Sequence, residues 1–218
     1  MAQIEGIDVS YAQGTIDWSQ VAGEKDFAII RAGYGQNNID ATADYNIQNA
    51  LANGLMVGLY WFSYAYTAQM AYDEGLYCGA KASEFQGISL PLFWDFEYDS
   101  VDYAQQHGVT VDTALFHAMA EEFCRGVEDF GYTSGLYYNP DFSRRYNIDS
   151  FFLNNPTRWR WVAWWNHQPD KFNIWQYSAS GSVSGITGAV DLDILGGSPG
   201  PAPSSGQKTP LWMYLKLP

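Results

Sequence analysis

The segment Leu92-Phe93-Trp94-Asp95-Phe96-Glu97 ends an apolar run with two acids two positions apart. Side chains alternate along a strand, so Asp95 and Glu97 share one face with Phe93. A carboxyl crowded by other carboxyls, with few cations nearby, titrates upward and supplies a protonated acid near neutral pH. That chemistry suits hydrolysis of a glycosidic bond. Two further apolar segments hold acids in similar positions: Asp8 in Gly6-Ile7-Asp8-Val9-Ser10, and Asp191 with Asp193 in Val190-Asp191-Leu192-Asp193-Ile194-Leu195. First and last strands pair when a sheet closes into a barrel, which brings these acids towards one another. The competing reading makes Asp95 and Glu97 structural acids bridged to an arginine such as Arg31, since ion-pair networks also hold carboxylates in apolar surroundings.

Other site chemistries fit less well. His107, His117 and His167 show no HExxH pattern and no regular ligand spacing, so no metal site is assigned, although an oxygen-only Ca²⁺ or Mg²⁺ site stays open. No GxSxG motif occurs, and neither Cys78 nor Cys124 has a nucleophile's setting. Both cysteines lie in helical patterns and read as buried free thiols. Aromatic residues form 17% of the chain, with 9 Trp and 16 Tyr, more than a core of this size needs. Tyr60, Phe62, Tyr137, Trp165, Trp175 and Tyr177 fall near strand ends, where flat rings match the apolar C–H faces of pyranoses; Tyr138 and Trp161 read as packing.

The elements that must position these residues alternate β and α. Strands are expected over Ile4–Ser10, Phe27–Gly33, Met56–Ala65, Leu90–Glu97, Ser134–Tyr138, Trp161–Trp165, Asn173–Tyr177 and Val190–Leu195, several apolar on both faces as buried parallel strands are. Helices are expected over Asp17–Gly23, Ala41–Asn53, Ala68–Glu84, Asp112–Phe130 and Asp141–Tyr146; in the long one Leu115, Met119, Phe123, Val127 and Phe130 recur every three or four residues. After Pro156 the gaps are too short for full helices, so the last three strands join through loops or hairpins. The expected fold is α/β: a single TIM-like barrel of eight strands and about five helices, (β/α)5β3, with its site at the C-terminal strand ends.

The chain's 218 residues suffice for one domain, residues 1–196; the Gly-, Pro- and Ser-rich stretch that follows reads as a linker and short tail, residues 197–218. A net charge of −13 weighs against nucleic acid and against an anionic membrane surface as partners. No apolar run reaches membrane-spanning length, and no signal peptide is visible at the N-terminus.

Taken in order, Gly6-Ile7-Asp8-Val9-Ser10 with Gln13-Gly14 and Ile16-Asp17-Trp18, Phe27 to Gly35, Gly54 with Gly58-Leu59-Tyr60, Asp95-Phe96-Glu97, Ile174-Trp175-Gln176-Tyr177, Gly185-Ile186 and Val190-Asp191-Leu192 resemble glycoside hydrolase family 25, the muramidases that include many phage endolysins. The resemblance implies the same barrel and hydrolysis of the β-1,4 bond between N-acetylmuramic acid and N-acetylglucosamine in bacterial peptidoglycan, without a cofactor. By the family pattern Glu97 is the general acid and Asp95 its partner, with Asp8 and Asp191 completing an acidic floor. Asp193 departs from the pattern, which often has Asn there. Action is then expected on the bacterial cell wall, from outside the cell or after release during lysis. Two mechanisms stay open: attack by the substrate's N-acetyl group assisted by Asp95, or by a water activated by Asp8 or Asp191. A chitinase-like glycosidase and an inactive wall-binding module are the alternatives; Phe93 stands where the DxxDxDxE chitinase motif requires Asp.

Overall fold

In the computed structural model, residues 3–165 and 167–196 are described; the expected linker and tail, residues 197–218, lie outside them. The chain begins with β1 (Ile4–Val9), a 3-10 turn (Tyr11–Gln13) and α1 (Trp18–Val21), followed by β2 (Phe27–Tyr34), the two-residue β3 (Asn38–Ile39) and α2 (Ala43–Ala52). Next come β4 (Met56–Phe62), α3 (Ala68–Ser83), β5 (Ile88–Asp95), α4 (Tyr98–Gln106) and α5 (Thr113–Glu128). β6 (Ser134–Tyr138), α6 (Pro140–Arg145), α7 (Ile148–Asn154), β7 (Trp159–Ala163), β8 (Ile174–Gly181) and β9 (Val190–Leu195) complete it.

Eight strands form a closed barrel. β1, β2, β4, β5, β6, β7 and β8 run parallel in sequence order, and β9 lies antiparallel between β8 and β1. β3 is a small hairpin partner of β2 outside this circuit. As expected, β7, β8 and β9 join through loops. A helix fills the return path only where consecutive strands run parallel and the gap is long; the β8–β9 connection is a hairpin and needs none.

Alternation along the strands divides the apolar residues into two layers. Phe27, Ile29, Leu90, Phe93, Trp161, Ile174 and Leu195 fill the barrel interior, while Ala28, Ile30, Leu59, Trp61, Leu92 and Trp94 face the helices. Each large side chain so buried contributes about 1.5–3 kcal/mol. The closest helix pair, α3 and α5, meets at Gly75 and Gly126, where an added Cβ would strike the partner's backbone. Asp112 caps α5, accepting from the Leu115 N–H at 2.8 Å, and Gly131 takes a left-handed φ of 80° just beyond its end. Cys78 and Cys124 are buried free thiols, as expected.

Seven α-helices are present among the described residues, two more than the sequence pattern shows. α4 escapes a periodicity search because its nine residues, Tyr-Asp-Ser-Val-Asp-Tyr-Ala-Gln-Gln, bury just Ser100, Val101 and Ala104. α7 is a two-turn helix whose buried Ile148, Phe151 and Phe152 span too short a stretch to establish a helical period. Because α4 starts at Tyr98, β5 stops at Asp95, and Glu97 is the residue before the helix instead of part of the strand.

Candidate active site

The C-terminal strand ends surround a cavity of about 230 Å³ lined by Asp8, Arg31, Tyr60, Phe62, Asp95, Glu97, Tyr137, Trp161, Trp165, Gln176 and Asp191. Asp95 closes β5. Glu97 keeps an extended backbone, φ −123° and ψ −167°, so strand alternation persists for two residues past β5 and both acids reach the same cavity. The Glu97 N–H donates to Ser100 Oγ at 3.0 Å, fixing the turn into α4. Asp8 and Asp191 are direct partners in the β1–β9 pairing, which is how barrel closure unites acids from opposite ends of the chain.

Burial raises the pKa of all four acids, with different neighbours acting on each. Asp95 is buried, and that burial, with the Glu97 charge beside it, raises its pKa well above the usual carboxylate range although Arg31 pulls the other way. Burial also raises Glu97, opposed by a hydrogen bond from Tyr137. Asp8 is pushed up strongly by burial and then by the charges of Asp193 and Asp191. Burial raises half-buried Asp191 as well. Asp193, fully buried behind them, is raised to about 7, chiefly by burial, while Trp161 Nε1 donates to its Oδ1 at 2.8 Å. Asp95 Oδ1 and Asp193 Oδ2 are buried and accept no N–H or O–H from a described residue. Each lies beside another carboxyl, Glu97 and Asp8 respectively, which favours a proton shared within each pair.

Gln176 ties the two halves of the site together. Its Nε2 donates to Asp8 Oδ2 at 2.8 Å, and its Oε1 accepts from the Tyr137 hydroxyl at 3.1 Å. The same hydroxyl is the hydrogen-bond neighbour of Glu97. It has one proton for two acceptors, so Gln176 and Glu97 compete for it.

Of the aromatic residues expected at the site, Tyr60, Phe62, Tyr137 and Trp165 line the cavity, Trp165 being 54% exposed at its rim. Trp175 and Tyr177 do not. Gln176 takes the inward position on β8, which turns both neighbours to the other face, where Trp175 packs on Phe172 and Tyr177 and donates to the Trp164 carbonyl. Trp161, read as packing, is 1% exposed but also borders the cavity. Gln176 and Arg31 escaped the sequence reading as site residues; the inward phase of β8 and of β2 was the available signal. Arg31 does not bridge Asp95 or Glu97: its Nε pairs with Asp40 Oδ2 at 2.7 Å. Among the described residues no group of three or more His, Cys, Asp or Glu is arranged to hold a metal ion.

Known proteins share the fold. Lysozyme M1 of Streptomyces globisporus is 30% identical over 211 residues, covering 89% of this chain and 68% of that protein. The structure of a bacterial lysozyme from Streptomyces coelicolor superposes with a TM-score of 0.72 at 24% identity, covering 91% of this chain and 94% of that one. The catalytic domain of endolysin ply40 from Listeria monocytogenes bacteriophage P40 shares the fold with a TM-score of 0.69 at 20% identity, covering 89% and 94%. A family model, glycosyl hydrolases family 25, matches residues 7–186. With that match over most of its length, and with its acids gathered at one end of a closed barrel, the chain belongs to glycosyl hydrolases family 25 and is a glycoside hydrolase of the lysozyme kind.

Proposed function

We propose that the chain cleaves the β-1,4 bond between N-acetylmuramic acid and N-acetylglucosamine in peptidoglycan of the bacterial cell wall, with Glu97 as general acid and Asp95 assisting. Family membership and the lysozyme relative support peptidoglycan as the polymer. The observation that carries the finer reading is that Asp95 and Glu97 line one cavity as neighbouring carboxyls, close enough to act on adjacent atoms of one sugar. An acetamido N–H of the substrate donates to the Asp95 carboxylate in place of the Glu97 contact. In that pose the acetamido carbonyl oxygen attacks C1 while Glu97 gives its proton to the departing glycosidic oxygen. Water then adds to C1, the ring formed by the acetamido group reopens, and the Glu97 carboxylate takes the water's proton.

Asp8 suits the role of base poorly, because burial and two neighbouring acids raise its pKa well above the usual carboxylate range and favour its neutral form. Half-buried Asp191 instead lends negative potential beneath a C1 that gains positive charge. Tyr60, Phe62, Tyr137 and Trp165 present the rings against which sugar faces stack. The test is release of reducing ends from purified cell walls, with mass spectrometry of the fragments, for wild type and Glu97→Gln. Fragments ending in reducing N-acetylmuramic acid, lost in the variant, are the expected result. Intact glycan with retained wall binding would revive the binding-module alternative. Proton NMR of the first-formed anomer reads the mechanism: a β product is expected, and an α product requires single-step inversion by a water.

A further inference from the structure

Beside the carboxylate cavity lies a larger one of about 530 Å³, lined by Tyr11, Arg31, Tyr34, Ile39, Asp40, Ala41, Phe62, Tyr64 and Asp99. Arg31 and Phe62 border both. In a chain of net charge −13, Arg31 is the one cation among the described residues of either lining. Its orientation is set. Asp40, whose side chain is fully buried, holds Nε at 2.7 Å and is itself held by the N–H groups of Tyr11 and Thr42 and by the Thr42 hydroxyl. The guanidinium carbon stands 4.8 Å from the Tyr11 ring centre and 5.7 Å from that of Tyr34. Yet Nη2 is buried and, among the described residues, donates to nothing. A guanidinium locked by its Nε edge, with an unused donor beside a cavity, is a receptor for an oxygen acid.

We propose that Arg31 reads the lactyl substituent of a muramyl residue, donating from its Nη nitrogens to the lactyl carboxylate or, where a stem peptide is attached, to the corresponding amide carbonyl. The proposal rests on the muramidase reading above. A glycan of N-acetylglucosamine alone has only a hydroxyl at that carbon, a shorter neutral group that offers the guanidinium no carboxylate or carbonyl oxygen. Discrimination by an unpaired buried donor is stronger than discrimination by shape. The second cavity gives the pendant group room that an unbranched glycan would not use, and Asp40 and Asp99 on its wall make a cation necessary for an anion to enter.

The test compares wild type, Arg31→Gln and Arg31→Lys, each checked for an unchanged circular dichroism spectrum. Calorimetry measures binding of a peptide-free disaccharide containing N-acetylmuramic acid and of di-N-acetylchitobiose. Wild type is expected to prefer the muramyl sugar by about tenfold, Arg31→Lys to keep part of that preference, and Arg31→Gln to lose it. On cell walls, and on walls stripped of stem peptides by an amidase, Arg31→Gln is expected to raise KM about tenfold with kcat within about threefold. A KM effect on stripped walls alone assigns the free carboxylate as the ligand; an effect on both substrates assigns the lactyl carbonyl in either form. Absence of a preference in wild type, or an equal loss for both disaccharides, overturns the proposal. If wild type cuts no wall glycan the muramidase reading fails, and the disaccharide preference still decides the role of Arg31.

Discussion

Gln176 Nε2 donates to Asp8 Oδ2 at 2.8 Å, joining residues 168 positions apart across the floor of the cavity. Through its other amide atom Gln176 holds Tyr137, the neighbour of Glu97. Gln176→Leu removes both bonds at similar volume and leaves Asp8 with carboxyl neighbours alone. Desolvated groups left unpaired cost about 1–3 kcal/mol, so kcat/KM on soluble glycan should fall roughly ten- to hundredfold. Initial rates beside a melting curve check this; unchanged kinetics in a folded variant would remove Gln176 from the site's machinery.

Glu97 must be protonated to act as an acid, so activity falls as pH rises through its pKa. Burial raises that pKa, which places the alkaline limb of kcat/KM above the ordinary glutamate value of about 4.3. Tyr137 stabilises the Glu97 anion, and its removal must raise the pKa further. Tyr137→Phe is therefore expected to move the alkaline limb to higher pH. A pH–rate series on both proteins decides it, and a limb that stays in place or moves down contradicts the assignment.

Glu74 on α3 is fully buried, and burial raises its pKa to about 8 despite bonds from the Ser63 hydroxyl and the Tyr64 N–H. The folded protein thus binds a proton at this group that the unfolded chain releases at about 4.3. The stabilisation is full below the unfolded value and is lost as pH rises towards 8. The melting temperature should decline between pH 5 and pH 8, and Glu74→Gln should flatten the decline. Equal slopes in melts of the two proteins would show that Glu74 does not cause it.

With a net charge of −13, attraction to an anionic wall cannot drive binding. Sedimentation of purified walls with the Glu97→Gln variant should show little change in bound fraction between low and moderate salt. A steep loss over that range would point to a cationic contact surface that the charge balance argues against.

Much of this protein was legible in its sequence because short-range rules govern it. Alternation put Asp95 and Glu97 on one face, β-type apolar runs marked the eight barrel strands, and a 3.6-residue period marked α5. α4 and α7 were not legible, since α4 buries few residues and α7 is too short to establish a helical period. The partners of the acids were beyond sequence reasoning for another reason. Which carboxyl meets which depends on the register at which β9 closes onto β1, and on the inward phase of β8, which presents Gln176 and turns Trp175 and Tyr177 away. Pairing Arg31 with Asp40 in place of Asp95 likewise follows from the turn that brings β3 back along β2. Residue type and spacing determined that acids would gather at the strand ends; only closure of the barrel decided their neighbours, because register and burial are properties of the whole sheet and set each group's charge.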